Sequence, residues 1–439
     1  MMRQLIILLV FFLGTFQQLS AQRMLTLEEA IATALDNNFD IRLARNDSLV
    51  AATDYRYRDA AFLPTLNATA GATWNNNDQR QTLADGQKRE QNNIRSNNIA
   101  ASAQLGWTLF DGLKMFATRE KVGELVELGS LAIKEQVVNS VANVVNTYYN
   151  IVRQKQQLKA VEEQIALNEE RVRLAQYKLD IGTGAKPDLL QSKVDLNAQK
   201  SLRLSQLTLI DQTKEQLLQV MNSQYGTFFD VSDSIPLNAG IVLGDMQADL
   251  ETNNPTLLLA QKNTEIAALT LKERKADRWP TLSFNTAYNY SRTNNQTVIN
   301  PFQPLFNLNR GLNYGFSASI PIFNRFNVQR QIRQAEVDLN FQRLSYDFQR
   351  SQINLSVVLA YKDYDLQKRT LSLEEENILL ARENVDIVFQ SYKLGFATLV
   401  QLREAQSSLE EANNRLIAAR YAMKLAETEL LRLKGDLVN

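Results

Sequence analysis

Leu66-Asn67-Ala68-Thr69-Ala70-Gly71-Ala72-Thr73-Trp74 alternates apolar with small or polar side chains at every step and carries no charge. A period of two is the signature of a β-strand with unlike faces, because successive side chains leave a strand on opposite sides. The same alternation returns at Ile99, Ala101, Ala103, Leu105, Trp107 and Leu109. It returns again at Leu282, Phe284, Thr286, Tyr288 and Tyr290, and at Leu312, Tyr314, Phe316, Ala318, Ile320 and Ile322. No charged residue falls within 65–77, 96–110, 281–291 or 312–324, although 22% of the chain is charged. A soluble sheet places Lys or Glu on its wet face. Strands of about ten residues with an apolar face and an uncharged polar face instead match the spanning strands of an outer-membrane β-barrel.

Four strands cannot close such a barrel, since the smallest need about eight and an open edge in lipid strands backbone polar groups. The barrel is therefore expected to be shared between subunits; three copies would supply twelve strands, and two or four copies also satisfy the count. Asn76 to Asn98 and Ser291 to Gly311, rich in Asn, read as outward-facing loops. The remaining chain then leaves the barrel from the opposite end.

Working outward, the chain is a duplication. Asn37 and Asn38 answer to Asn253 and Asn254, and Pro64 to Pro280, at an offset of 216; Phe110-Asp111 answers to Phe323-Asn324, and Gly182 to Gly395, at an offset of 213. The three missing residues therefore lie between Pro280 and Asn324, in a loop. From Asp111 to Gly182 and from Asn324 to Gly395 no proline interrupts a run of good helix formers. Seventy helical residues make a rod of roughly 100 Å. Leu402, Ala405, Leu409, Ala412, Leu416, Ala419, Met423, Ala426, Leu430 and Leu433 step by three and four, a seam for a facing helix.

Each rod reverses at a glycine, Gly182 and Gly395, and Asp188 is placed to cap the outgoing helix. In a ring of rods these turns line the narrowest opening. Asp188, Gln401, Arg403 and Glu404 would be presented there once per subunit, where a ring of charges sets ion selectivity and salt bridges can hold a gate.

Residues 1–21 combine Arg3, an apolar run from Leu5 to Phe16 and a small Ala21, the pattern of a secretory signal peptide. The 439 residues contain no Cys and no His, which removes thiol nucleophiles, disulfides and the common zinc sites. The 48 basic and 48 acidic residues are intermingled, so no nucleic-acid partner and no cofactor is expected. A carboxylate enzyme would need a compact cleft with paired acids, which rods and hairpins do not offer. A soluble periplasmic coiled-coil adaptor is the competing reading, but it leaves four uncharged alternating strands without a purpose.

The opening Leu25-Thr-Leu-Glu-Glu-Ala, the Leu-Pro-Thr-Leu start of the first strand, Leu109-Phe-Asp-Gly, Ile320-Pro-Ile-Phe and the two glycine turns together resemble the TolC-like outer membrane efflux protein family. The resemblance implies a mixed α and β membrane protein: a trimeric twelve-stranded outer-membrane barrel, four strands per protomer, continued by a helical barrel in the periplasm. It implies a first repeat over 22–222 with a hairpin at 65–110 and a tip turn near 182–188. An equatorial segment follows at 223–254, then a second repeat over 255–434 with a hairpin at 281–323 and a tip turn near 395–401, then a tail at 435–439. It implies a passive duct, not an enzyme, for tripartite efflux or type I secretion in a Gram-negative cell. The partners implied are an inner-membrane transporter and a periplasmic adaptor docked at the Gly182 and Gly395 turns. By motif position Asp188 and Tyr392 match a closed-state tip network. Gln401 and Glu404 fall where two acids narrow the pore, and Gln401 departs from that acidic pattern.

Overall fold

The computed structural model describes residues 23–223, 226–300 and 302–437; the expected signal peptide, and Val438 and Asn439 of the tail, lie outside them. In chain order the main elements are α1 (Leu27–Asn37), α2 (Phe39–Arg56), β1 (Thr65–Thr82), β2 (Lys88–Phe110), α3 (Lys114–Asp180) and α4 (Lys186–Met221). The second copy supplies α5 (Pro255–Ala276), β3 (Thr281–Asn295), β4 (Phe306–Ser319), α6 (Asn327–Leu394) and α7 (Leu399–Lys434). Two compact units result, and each takes parts of both repeats. Among the described residues, one falls within 23–47, 130–259 and 347–437 and the other within 48–129 and 260–346.

The second unit is organised by a four-stranded antiparallel sheet in the order β1-β2-β3-β4. Its register stacks like with like. Leu66, Leu105, Thr286 and Tyr314 form one row, and Ala68, Ala103, Tyr288 and Leu312 the next, on the face that also carries Trp107, Phe284 and Phe316. The other face carries Asn67, Gln104, Ala287 and Asn313, then Thr69, Ser102, Asn289 and Gly311. Its side chains bond to one another across strands: Ser102 Oγ donates to Asn289 Oδ1 at 2.9 Å, Asn98 Nδ2 to Thr293 Oγ1 at 3.0 Å and Asn285 Nδ2 to Ser317 Oγ at 3.0 Å. Among the described residues neither outer strand, β1 or β4, has a further partner, so both edges of the sheet are open.

The strands run longer than the alternation suggests. β1 reaches Thr82 and β2 starts at Lys88, so most of the expected Asn76–Asn98 loop is ladder, closed by residues 83–87. Richness in Asn reads as loop, but a ladder needs only backbone groups, and Arg80 pairs across it with Glu90 at 2.6 Å. The expected Ser291–Gly311 loop likewise shortens to 296–305, while β4 stops at Ser319, ahead of Pro321. The hairpins therefore differ at their distal ends, where the three-residue offset falls. In the same unit Gly129 lets α3 approach α2: a Cβ there would lie 2.9 Å from Ser48 Oγ.

The first unit is built from paired helices. All ten residues of the expected α7 seam are buried. They face Val357, Tyr364, Leu371, Ile378 and Val385 of α6, one residue per heptad. A second core joins Val141, Val144, Tyr148, Ile151 and Val152 of α3 to Leu217 and Met221 of α4, with Ala30 and Ala34 of α1 and Leu25 packed on it. Inter-repeat residues are stapled to these helices: the Tyr364 hydroxyl donates to the Asn238 carbonyl at 2.6 Å and Lys155 pairs with Asp230 and Asp233.

The duplication is visible in local structure. Asn38 caps α2 through its Oδ1 and donates through Nδ2 to the Val220 carbonyl at 2.7 Å; Asn254 caps α5 in the same way and donates to the Leu433 carbonyl at 2.7 Å. Positive φ recurs at Gly112-Leu113 and Arg325-Phe326, and at Asn222 and Gly435, which end α4 and α7.

Candidate functional site at the helix turns

Both turns lie in the first unit, and both close as expected on a left-handed glycine: φ is 79° at Gly182 and 84° at Gly395. In the first turn the Thr183 and Gly184 amides donate to the Lys178 carbonyl at 2.9 and 2.8 Å. Gly184 is the spatially constrained glycine, since a Cβ would meet Lys178 Cβ at 2.8 Å, whereas nothing lies near Gly182. In the second turn the Phe396 amide donates to the Ser391 carbonyl at 2.8 Å.

One expectation needs correction here. Asp188 does not cap α4: the N-cap is Ala185, which offers no side-chain acceptor, and Asp188 lies in the first helical turn behind Pro187. There its charge favours the positive helix end. Gln401, the equivalent residue in the second copy, is committed to a capping box: its amide donates to Thr398 Oγ1, and its Oε1 accepts from the Thr398 amide at 2.8 Å. A glutamine supplies that reciprocal bond as well as a glutamate does.

Tyr392 is buried, and Lys178 from the first repeat lies over its ring at 3.9 Å while donating to its carbonyl at 2.6 Å. Burial holds the Tyr392 phenol above its ordinary range; the Asp188 carboxylate pushes the same way and Arg171 opposes. Asp188 and Tyr392 are thus electrostatic neighbours.

Arg403 takes part in a larger constellation. Asp195 of α4 receives Arg171 Nη2 of α3 at 2.6 Å and Arg403 Nε of α7 at 3.0 Å. Arg171 also donates through Nη1 to Gln406 Oε1 at 2.7 Å. The Arg171 side chain is only 3% exposed, so two guanidiniums share one carboxylate in a largely dry interface. Burial and the neighbouring Arg403 both lower the Arg171 pKa, and Asp195 counteracts them. Glu404 is exposed, and among the described residues it forms no hydrogen bond or ion pair; it lies between the buried Leu402 and Ala405 in sequence and points away from their seam.

Sequence reasoning missed Lys178, Arg171, Asp195 and Gln406. The signal existed: Val161, Gln164, Asn168, Arg171 and Ala175 are all buried and step by three and four. A search for apolar periodicity passes over a seam whose members are mostly polar.

A sheet with one uncharged polar face and one apolar face, joined to long paired helices, defines the subunit of a membrane channel with a helical part outside the bilayer. The family described as outer membrane efflux protein matches residues 30–223 and 248–436, and the chain belongs to that family. It is 20% identical to the outer membrane protein TolC of Salmonella enteritidis over 401 residues, 87% of this chain and 78% of TolC. Its fold is that of the outer-membrane channel OprN (TM-score 0.78, 16% identity, covering 93% of this chain and 90% of OprN). It is also similar in fold to the outer membrane protein VceC of Vibrio cholerae (TM-score 0.74, 15% identity, covering 93% of this chain and 96% of VceC). The protein is an outer-membrane efflux channel with its helical tunnel in the periplasm.

Proposed function

We propose that three copies assemble into a passive duct in which three four-stranded sheets close one twelve-stranded barrel. The observation that carries this reading is the sheet itself: two unlike faces and two open edges, β1 and β4, which lipid does not tolerate unpaired. A second feature agrees with it. Leu359, Leu366, Leu373, Leu380, Ile387 and Leu394 repeat every seven residues along α6 and are all more than half exposed in the single chain, a seam awaiting a neighbouring helix.

The helix turns around Gly182 and Gly395 would then form the periplasmic mouth. Asp188, Tyr392, Arg403 and Glu404 surround it, with Gln401 holding the start of α7. Residues 223–254 with the C-terminal tail form an equatorial collar, and residues 1–21 direct export. A periplasmic adaptor meets the turns and an inner-membrane transporter supplies the cargo, in tripartite efflux or type I secretion. The duct itself performs no covalent chemistry.

Electron microscopy of the detergent-extracted protein tests the assembly. Threefold rings with a tube of roughly 100 Å on one side are expected; compact soluble monomers would return the chain to the adaptor reading.

A further inference from the structure

Two arginines lie on the apolar face of the sheet. Register places Arg310 in the row of Ala70, Ala101 and Tyr290, and Arg292 in the next row, with Ala72, Ile99 and Leu308. They are diagonal neighbours on β3 and β4, a placement that brings long side chains within reach of one another. Both are exposed, and among the described residues neither meets a carboxylate. None could do so within its own hairpin, since Thr281 to Ser319 contains these two arginines and no Asp or Glu. Arg292 is steered by the Phe306 ring, 5.6 Å from its guanidinium carbon.

Their height is informative. Leu282 and Ala318 pair at the helix-proximal end of the sheet. Eight residues separate Ala318 from Arg310 and ten separate Leu282 from Arg292. At about 3.3 Å per residue and a tilt near 40°, the guanidiniums start about 20–25 Å above that end. The apolar band of a membrane barrel is about 25 Å tall. The pair therefore sits where the hydrocarbon stops and the outer-leaflet headgroups begin. Arg95, at the same parity on β2, stands further out.

We infer that Arg292 and Arg310 form a binding site for the phosphorylated headgroup of the outer-leaflet glycolipid. Guanidiniums bind phosphate in a bidentate fork, and an uncompensated basic pair at the headgroup level complements an anion held there by its acyl chains. The site rests on the outer-membrane channel reading. In the trimer it recurs three times around the barrel.

The test titrates the purified full-length oligomer in detergent with a bisphosphorylated lipid A-type glycolipid and with the same glycolipid lacking phosphates, scoring bound lipid by native mass spectrometry. Wild type is expected to prefer the phosphorylated form, and the R292Q/R310Q double variant to bind it about thirtyfold more weakly. Excess inorganic phosphate should leave the wild-type complex largely intact; full displacement would overturn a lipid-held site. Equal binding of the two lipids, or an unchanged double variant, would also overturn it. Conductance in planar bilayers separates the two levels. Conducting wild type and variant with the same lipid binding defeat the lipid site alone, whereas a wild type that forms no pores removes the channel reading and the site together.

Discussion

Asp195 is a carboxylate that two arginines from different helices need at once. Asp195→Asn leaves Arg171 charged and almost without solvent, and breaking such a pair costs about 3 kcal/mol. The expected result is a lower melting temperature and a more conductive resting channel; Arg403→Gln, at a half-exposed position, should cost under about 1 kcal/mol. With Glu404 at the proposed periplasmic mouth, Glu404→Gln should reduce the preference for cations in single-channel recordings and weaken block by multivalent cations. Unchanged selectivity would place Glu404 away from the constriction. Tyr149 supplies a pH dependence. Burial, with Tyr148 and two glutamates nearby, pushes its phenol up from 10.0 to about 12. The folded state then keeps a proton that the unfolded chain releases, so this contribution is intact below pH 10 and is lost as pH rises towards 12. Loss on the order of 2 kcal/mol is expected across that window, against Tyr149→Phe as the reference in alkaline melts.

Among the elements, helix ends show how a duplicated design diverges. α4 stops on Asn222 and α7 on Gly435, both left-handed. Gly435 sits so close to the start of α5 that a Cβ would lie 2.6 Å from the Asn253 carbonyl oxygen. Gly435→Ala therefore meets both strain at φ 85° and a backbone clash, and should destabilise by more than about 1 kcal/mol in chemical denaturation. Asn222→Gly, at the equivalent position, is expected to change stability by a few tenths, because Asn already tolerates the conformation. The long helices were legible in the sequence as unbroken runs of helix formers, and the α7 seam was legible residue by residue. Its partner on α6 was not, since Val357 to Val385 appears only once per turn-pair among residues that also include the exposed leucine row.

For the whole molecule, the sheet has to join its neighbours before it can live in lipid. Phe316 lies on the apolar face and packs on Phe284, ring centroids 5.2 Å apart. On the same face Leu312, six residues from Ala318 and so about 15 Å up the apolar band, lies nearer the bilayer midplane, and Leu312→Lys should cost about 2–4 kcal/mol per subunit. Trimer yield after detergent extraction reads this directly, and a normal yield would mean that the residue faces water. The exposed leucine row on α6 makes a companion case, in which assembly would bury a surface that one chain leaves bare.

The sequence by itself determined the two sheet faces, the long helices, the α7 seam, the duplication and the glycine turns. Each is a periodic or local property, set by the direction in which consecutive side chains leave the backbone. Only the tertiary structure decided the strand ends, the capping box that engages Gln401, and the group of Arg171, Asp195, Arg403 and Gln406. Arg171 and Gln406 are 235 residues apart. Whether a polar side chain is a solvated surface group or a buried tie depends on the helix packed against it, and no local spacing carries that information.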